Sequence, residues 1–143
     1  MADFRGINRK LQRPEHPLEN LWGILKRLNP RHHFFAAIDF TSGYSQIPLE
    51  EESRKLFTII TPYGKYRPTV LPQGTSISPE IFDIGTAEEI RNTKDCWKNA
   101  DDVLGGGVTL EDLDVVMQRV IRVCHRRGIK LSPSKLQIGR KIR

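Results

Sequence analysis

The sequence has 143 residues and a formal net charge of +6 at pH 7. This length predicts one domain with a modest core, and the absence of any apolar run of roughly 20 residues predicts no transmembrane helix. The first ten residues, MADFRGINRK, lack the apolar stretch of a signal peptide. Cys96 and Cys124 have neither CxxC nor zinc-site spacing, so we expect reduced, structural thiols inside a cell.

The first third of the chain predicts a helix followed by a buried strand. Leucine and tryptophan recur at helical spacing over residues 17–28, and Asn29-Pro30 is expected to stop this helix. Phe34–Asp39 reads FFAAID, which is typical of a buried strand that ends at an acid. Thr41-Ser42-Gly43 then turns the chain.

A β-hairpin is predicted next. Residues 56–61 and 66–71 flank Pro62-Tyr63-Gly64-Lys65, which supplies a glycine in the turn. Pro68 lacks a backbone donor, so the second strand is expected at a sheet edge or a bulge.

The second half predicts two helices separated by an acidic turn. Ser78-Pro79 is a favourable helix start. Residues 96–104 carry Asp101-Asp102 near the middle, where two strands are expected to turn, and three glycines follow. The clearest helix covers residues 110–127, because its apolar residues form one stripe between Thr109 and Gly128. Residues 129–131 and 136–138 are a candidate last strand pair.

This order of elements predicts an α+β fold. With the hairpin excursion removed, it is the βαββαβ order of ferredoxin-like folds, with two helices on one face of an antiparallel sheet. In that topology the first and third strands are neighbours, so Asp39 and the Asp101-Asp102 turn are expected to lie side by side. Consecutive strand residues point to opposite faces, so both acids face Asp39 only if a turn intervenes.

Converging carboxylates suit hard divalent cations such as Mg²⁺, which prefer oxygen ligands. Two such ions stabilise the attacking and leaving oxygens of an in-line phosphoryl transfer. An acid at a strand end is also a common cap or turn residue, so the pattern alone leaves both interpretations open.

Basic residues dominate the C-terminal part of the chain, where no acid follows Arg119. This region is either a solvated helix face with a tail or a phosphate-binding surface. The residues concerned are Arg119, Arg122, Arg126, Arg127, Lys130, Lys135, Arg140, Lys141 and Arg143.

Five sequence blocks, in order, resemble the reverse transcriptases of gypsy-type LTR retrotransposons and related retroviruses. They are DFRGINRKLQ (3–12), AAIDFTSGYSQIPL (36–49), LFTIITPYGKYRPTVLPQGTSISPEIF (56–82), NADDVL (99–104) and GIKLSPSKLQIG (128–139). The resemblance implies a polymerase palm with an inserted fingers hairpin. It assigns residues 1–35 and 47–75 to the fingers side, and 36–46 and 76–143 to the palm.

The resemblance also implies roles for individual residues. The catalytic metal ligands would be Asp39 and Asp101, with Asp102 a weaker or positioning carboxylate. Tyr44 would exclude the 2′-hydroxyl of a ribonucleotide, or would simply be a half-buried loop aromatic. Gln73 and Gly74 would lie beside the incoming nucleotide. The template strand would be held by Asp3, Arg5 and Asn8, although Arg5 is equally compatible with a solvated surface charge.

The implied activity is RNA-directed DNA polymerisation, with two Mg²⁺ ions (or Mn²⁺) and dNTPs added to a primer on an RNA or DNA template. The implied partners are template–primer and the remainder of a pol polyprotein, in a cytoplasmic virus-like particle or the nucleus. Blocks that precede and follow these five in the family, including basic fingers residues, thumb and RNase H, are not in this sequence. We therefore expect weak or no primer extension by these residues alone.

Two features depart from the family pattern. Asn99 stands where the family has an aromatic or aliphatic residue, and Gly105–Gly107 replace an aliphatic strand, so both are expected to weaken the central hairpin. They favour an alternative function, a non-catalytic nucleic-acid-binding remnant. A palm-type nucleotide cyclase is disfavoured, because it does not explain the LPQG and SGYSQIPL blocks.

Overall fold

A computed structural model describes residues 3–139, without the side chain of Ala87. The chain divides into two compact units. The first contains the described residues up to Pro17 together with Ser42–Gly85, and the second contains Leu18–Thr41 and the described residues from Thr86 onward. The helices are α1 (Arg5–Asn8), α2 (Leu21–Arg27), α3 (Glu51–Leu56), α4 (Ser78–Arg91) and α5 (Leu110–Arg126). The strands are β1 (Phe34–Asp39), β2 (Ile59–Thr61), β3 (Gly64–Tyr66), β4 (Cys96–Asn99), β5 (Asp102–Gly107) and β6 (Gln137–Gly139).

The second unit is built on a four-stranded antiparallel sheet in the order β4-β5-β1-β6. The central pair, β1 and β5, runs in register from Phe34↔Gly107 to Asp39↔Asp102. This order confirms the predicted ferredoxin-like arrangement, in which the first and third palm strands are neighbours. It places the acidic end of β1 directly beside the acidic end of β5.

Helix α5 forms as the sequence predicted. Its N-terminus carries a reciprocal capping box, in which the Thr109 hydroxyl accepts from the Asp112 amide and the Asp112 carboxylate accepts from the Thr109 amide. Its C-terminus is followed by Gly128 at φ +69°, a conformation that glycine adopts without strain. The buried residues of the stripe are Leu113, Val116, Met117, Val120, Val123 and Cys124.

The three glycines, expected to weaken the central hairpin, are the last three residues of β5. All three pair with β1, and each has a neighbour that leaves no space for a side chain. A Cβ on Gly106 would lie 2.6 Å from Nδ1 of the buried His32, and one on Gly107 would lie 2.5 Å from the Leu113 backbone nitrogen. The glycines therefore allow α5 and His32 to pack directly on the strand. This packing stabilises the sheet, and β-propensity does not take it into account.

The hairpin of the first unit is shorter than predicted. β2 and β3 pair only from Ile59↔Tyr66 to Thr61↔Gly64, and the rest of the predicted second strand contributes one bridge, between Val70 and Pro48. Helix α3 was not predicted. It is stabilised by acids in its first turn and bases in its last turn, a charge distribution that matches the helix dipole.

Helix α2 also differs from its prediction. It begins at Leu21, because the Asn20 side chain caps it by accepting from the Gly23 amide at 2.8 Å. Ile24 is its buried residue, whereas Leu21 and Trp22 are 54% and 74% exposed. The periodic leucines thus mark a helix but not a buried face.

The segments 129–131 and 136–138 do not pair with each other as predicted. β6 pairs with β1, and Leu131 forms a bridge with Phe40, the residue that follows β1. Both segments therefore lie beside β1 and the residue after it. A short 3-10 helix at Pro133–Lys135 separates them and carries Lys135 to the end of β1.

The basic residues that the structure describes are divided in their contacts. Arg119, Arg122 and Arg126 are exposed along α5, while Arg126 and Arg127 form ion pairs with Glu89. Arg140, Lys141 and Arg143 lie outside the described residues.

Within residues 3–139 there is no helix whose length and apolar character would let it cross a bilayer.

Cys96 and Cys124 are free and buried, and burial raises their pKa values to about 12 and about 11. Both thiols are therefore protonated core residues, as predicted.

Gly107→Ala is expected to lower the free energy of unfolding by about 2–3 kcal/mol, because the new methyl group would collide with the backbone at the start of α5. Gly6→Ala is the matched control, since nothing lies within 4 Å of a Cβ at that position. Urea unfolding of the two variants measures the difference. Equal stability would show that α5 does not press on this strand.

Candidate active site

The ends of the two central strands bring two carboxylates together. Asp39 is the last residue of β1 and lies directly opposite Asp102, the first residue of β5. Residues directly opposite on antiparallel strands project to the same face of the sheet. Lys135 donates from Nζ to Asp39 Oδ2 at 2.6 Å, so the pair has one cationic neighbour.

Asp101 is not a strand residue. It forms a two-residue turn with Ala100 between β4 and β5, and Ala100 has a φ of +49°. The Asp101 carbonyl accepts from the Phe40 amide at 3.1 Å, which fixes the turn against the chain that leaves β1. The intervening turn required by strand alternation is therefore present, and all three acids lie at one end of the sheet.

Mutual repulsion and hydrogen bonding shift the pKa values of Asp39 and Asp102 in opposite directions. A hydrogen bond with Asp39, then burial and the charges of Asp39 and Asp101, raise the pKa of Asp102 to about 6. The same hydrogen bond from Asp102, followed by that from Lys135, lowers the pKa of Asp39. Below about pH 6 the pair therefore carries one proton, which resides on Asp102 because Lys135 stabilises the charge on Asp39.

A cavity of about 250 Å³ lies over this face of the sheet. Its polar side consists of Asp39, Asp102, Asn99, Lys135 and Gln137, and its apolar side consists of Leu21, Ile24, Ala37 and Leu104. Apolar walls reduce solvent screening, so charges in the cavity interact more strongly than on an open surface.

Lys98, next to Asn99 in β4, is a residue of the site to which the sequence analysis assigned no role. Its side chain is buried at 1% exposure, and Nζ donates to the Ala100 carbonyl at 2.8 Å and lies 5.7 Å from the centre of the Phe40 ring. A buried ammonium requires such partners. Lys98 thus holds the turn that carries Asp101, and a lysine directly after Cys96-Trp97 in a predicted strand was the available signal.

The first unit contains the residues implied to surround the nucleotide. Gln73 and Gly74 are exposed on a loop, where Gly74 has a φ of +92° that favours glycine. The Asn8 side chain contacts this loop, accepting from the Ser76 amide at 2.9 Å and donating to the Gly74 carbonyl at 3.1 Å.

Tyr44 lies in the same unit, in a short 3-10 helix at Gly43–Gln46. Its ring is half-buried and packs edge-on against Phe82, with ring centres 5.4 Å apart. Ser42, just before this helix, has a φ of +47°, so the segment begins with a strained residue.

Asp3 and Arg5 pair with each other at the surface. The Arg5 guanidinium donates to both Asp3 carboxylate oxygens at 2.7–3.1 Å, and its hydrogen bond lowers the pKa of Asp3 to about 2. Both residues are exposed. The second unit therefore contains the three acids Asp39, Asp101 and Asp102. The first unit contains the other candidate site residues, which are Asp3, Arg5, Asn8, Tyr44, Gln73 and Gly74.

The sequence matches the family described as "Reverse transcriptase (RNA-dependent DNA polymerase)" over residues 2–143. The chain belongs to the reverse transcriptase family. The match covers nearly the whole chain and confirms the resemblance carried by the five sequence blocks. The family is one of RNA-directed DNA polymerases, which are nucleotidyltransferases.

Relatives of this reverse transcriptase chain are polyproteins of transposons and plant viruses. It is 32% identical over 137 residues to the "Retrovirus-related Pol polyprotein from transposon 412" of Drosophila melanogaster, covering 94% of the chain and 11% of that protein. It is 33% identical over 142 residues to the "Enzymatic polyprotein" of Cauliflower mosaic virus (strain CM-1841), covering 99% of the chain and 21% of that protein. The chain thus spans about a tenth to a fifth of the length of these relatives.

Solved structures support the same fold. The chain matches the foamy viral protease-reverse transcriptase in complex with an RNA/DNA hybrid with a TM-score of 0.87 and 22% identity, over 96% of the chain and 19% of that protein. The complex described with double-stranded DNA gives a TM-score of 0.89 and 22% identity, over 97% of the chain and 24% of that protein. The α+β class predicted from the sequence is the fold of a reverse transcriptase.

The acid pair is compatible with a magnesium ion, although the described part of the chain has no group of three His, Cys, Asp or Glu side chains arranged to hold a metal. Magnesium is usually bound by one or two carboxylates and completes its shell with water and substrate phosphates. Asp39 and Asp102 supply those two carboxylates on one face of the sheet. The donor set therefore fits an ion that shares its remaining ligands with a phosphorylated substrate.

The raised pKa of Asp102 predicts a pH-dependent stability. Protonated Asp102 stabilises the fold fully below about pH 4, and this contribution disappears as pH rises through about 6. Asp39, whose pKa is lowered, titrates below that window. Asp102→Asn is expected to remove a fall in the free energy of unfolding between pH 4 and 7, worth less than about 1 kcal/mol after allowance for exposure.

Urea unfolding at pH 4.5 and 7 measures this difference. Asp114→Asn, an exposed carboxylate on α5, is the control and is expected to keep the fall. A pH dependence that survives in Asp102→Asn would show that the acid pair does not share a proton.

Proposed function

We propose that this chain carries the catalytic carboxylates of an RNA-directed DNA polymerase that adds dNTPs to a primer 3′-hydroxyl along an RNA or DNA template. In this reaction the 3′-hydroxyl loses its proton to solvent and its oxygen bonds to the α-phosphorus, the bond from that phosphorus to the bridging oxygen breaks, and pyrophosphate leaves. The observation that carries the proposal is the register Asp39↔Asp102, which places two acids at the end of the central strand pair. In this proposal residues 36–46 and 76–143 form the palm, and residues 1–35 and 47–75 form the fingers side.

The family resemblance implied Asp39 and Asp101 as the metal ligands, with Asp102 a weaker or positioning carboxylate. The strand register favours Asp39 and Asp102 as the paired ligands, with Asp101 supplying a third carboxylate from the adjacent turn. These carboxylates would hold two Mg²⁺ or Mn²⁺ ions, which would stabilise the charge on the attacking and leaving oxygens. The chain's own contribution is to hold the carboxylates in place. Strand pairing fixes Asp39 and Asp102, and the hydrogen bond from Phe40 to the Asp101 carbonyl fixes the turn.

Lys135 gives this site a built-in counter-charge. Its ammonium lies 2.6 Å from Asp39 Oδ2. The Lys135 side chain is 62% exposed, so it can turn into solvent when it leaves Asp39. A divalent cation at Asp39 would repel this ammonium. We therefore propose that Lys135 moves away from Asp39 when the site binds a metal.

The residues of the first unit are proposed to bind the nucleotide and the template. Tyr44 would exclude a 2′-hydroxyl, and its ring is supported edge-on by Phe82. Exposed Gln73 and Gly74 would contact the incoming nucleotide. Arg5 and Asp3 would contact the template strand as an exposed pair. The foamy viral relatives were solved with RNA/DNA and double-stranded DNA, which supports template–primer as the partner.

The alternative, a non-catalytic nucleic-acid-binding remnant, is favoured by the exposed row Arg119, Arg122 and Arg126 on α5, which suits a phosphate backbone. Such a remnant would bind template–primer without any need for an intact acid pair. The two functions therefore differ in whether the carboxylates bind a divalent cation.

The affinity for Mn²⁺, measured by electron paramagnetic resonance, tests the proposed function. Asp39→Asn is expected to weaken Mn²⁺ affinity roughly tenfold or more, because it removes an anionic oxygen ligand. Lys135→Gln is expected to strengthen it, because a competing positive charge is lost. Affinity is also expected to rise as pH increases through about 6, where Asp102 loses its proton.

The control is Asp114→Asn, which removes an exposed carboxylate from α5 and is expected to leave affinity unchanged. Equal Mn²⁺ affinity in the parent chain and Asp39→Asn would contradict a catalytic metal site and favour the binding remnant.

Tyr44→Ala tests sugar discrimination in an active, complete reverse transcriptase polypeptide that contains this chain. The variant is expected to incorporate ribonucleotides while dNTP use remains largely intact, because a methyl group does not obstruct the 2′ position. Tyr63→Ala, at a ring that is 91% exposed in the hairpin turn, is the control. The ratio of rNTP to dNTP incorporation efficiency is measured, and an unchanged ratio in Tyr44→Ala would remove Tyr44 from this role.

A further inference from the structure

The loop that contains Gln73 and Gly74 is held by side chains at its C-terminal end. Ser78 donates from Oγ to the Pro72 carbonyl at 2.7 Å, and its hydroxyl also pairs with that of Thr75. Thr75 and Ser78 are buried. These contacts close the loop on itself but do not engage the Gly74 carbonyl or the Ser76 amide.

Asn8 supplies the missing contacts from a distant part of the sequence. Its Nδ2 donates to the Gly74 carbonyl at 3.1 Å, and its Oδ1 accepts from the Ser76 amide at 2.9 Å. The partners are 66 and 68 positions away in the sequence. Because one partner is an acceptor and the other is a donor, only one orientation of the Asn8 amide makes both bonds, and an ionised aspartate of the same shape would lack the donor.

The segment that carries Asn8 is itself anchored to the first unit. Phe4 packs edge-on against Phe57 with ring centres 6.0 Å apart, and the Asn8 amide donates to the Phe4 carbonyl at 2.9 Å. Further along, Arg13 pairs with the nearly buried Glu80 carboxylate.

His16 adds a second tie to α4, with Nε2 2.6 Å from Asp83 Oδ2. Asn8 therefore projects from a fixed segment, which lets it restrain the loop rather than follow it.

We infer that Asn8 is a positioning residue that holds the Gln73–Gly74 loop in the conformation that receives the incoming nucleotide. This inference rests on the proposed function of that loop and replaces the direct template contact that the family resemblance implied for Asn8. The amide is engaged on both sides by the loop backbone, so its hydrogen bonds act on protein rather than on a nucleic-acid strand. Gly74 has a φ of +92°, and glycine adopts negative φ values about as readily. The hydrogen bonds from Asn8 would therefore select one of several loop conformations.

Two substitutions separate the two hydrogen bonds. Asn8→Ala removes both, whereas Asn8→Asp has the same shape and keeps an acceptor for the Ser76 amide but loses the donor to the Gly74 carbonyl. Arg9→Ala, an exposed neighbour, is the control.

Amide hydrogen exchange at Ser76 in the chain without substrate measures the clamp directly. Asn8→Ala is expected to accelerate exchange about tenfold, the effect of losing one ordinary hydrogen bond, while Asn8→Asp and Arg9→Ala keep the parent rate. An unchanged Ser76 rate in Asn8→Ala, in a variant whose thermal unfolding shows that it is folded, would overturn the inference.

Kinetics in a complete reverse transcriptase polypeptide containing this chain test the consequence for substrate. Asn8→Ala and Asn8→Asp are both expected to raise KM for dNTP about tenfold, with kcat and the Kd for template–primer nearly unchanged. A raised Kd for template–primer with an unchanged KM for dNTP would instead identify Asn8 as a template contact.

The two readouts distinguish failure of this inference from failure of the proposed function. If the parent polypeptide does not use dNTPs, the polymerase proposal fails, and accelerated Ser76 exchange in Asn8→Ala still shows that Asn8 clamps the loop. If dNTPs are used and neither exchange nor KM responds to Asn8, the positioning role is wrong while the polymerase proposal stands.

Discussion

The repulsion between Asp39 and Asp102 is the constraint on which the site depends. Antiparallel pairing of β1 and β5 places the two carboxylates directly opposite each other, where two unscreened charges would destabilise the sheet. The Lys135 ammonium offsets this repulsion, and below about pH 6 so does a proton on Asp102. Both can be exchanged, because the proton leaves as pH rises and the exposed lysine is free to rotate. A divalent cation would supply more positive charge than either, so the two opposed carboxylates suit it as ligands.

The opposite ends of the two strands are tightly packed. The glycine run of β5 lets α5 and His32 approach the backbone, so close contact holds that end of the strand pair. At the acidic end, buried Lys98 holds the Ala100 carbonyl and stabilises a turn in which Ala100 has a positive φ. The glycine run, a departure from the family pattern, thus packs the end of the strand pair that lies away from the acids, while Lys98 holds the acidic turn.

Local patterns predicted the elements that local physics determines. β1 was predicted with its observed bounds, because FFAAID needs only a buried sheet position, and α5 was predicted from its stripe and caps. The contacts that complete the sites were not predictable in this way. Lys135 meets Asp39 across 96 positions, and Asn8 meets Ser76 across 68. The leucines of α2 illustrate the converse, since a helical period does not reveal whether a neighbour covers that face.

Anomalous diffraction from crystals of the chain grown with Mn²⁺ tests the central claim most directly. The account predicts an anomalous peak bonded to carboxylate oxygens of both Asp39 and Asp102, with the Lys135 ammonium no longer hydrogen-bonded to Asp39. Mn²⁺ bound elsewhere, with the Lys135–Asp39 contact intact, would contradict it.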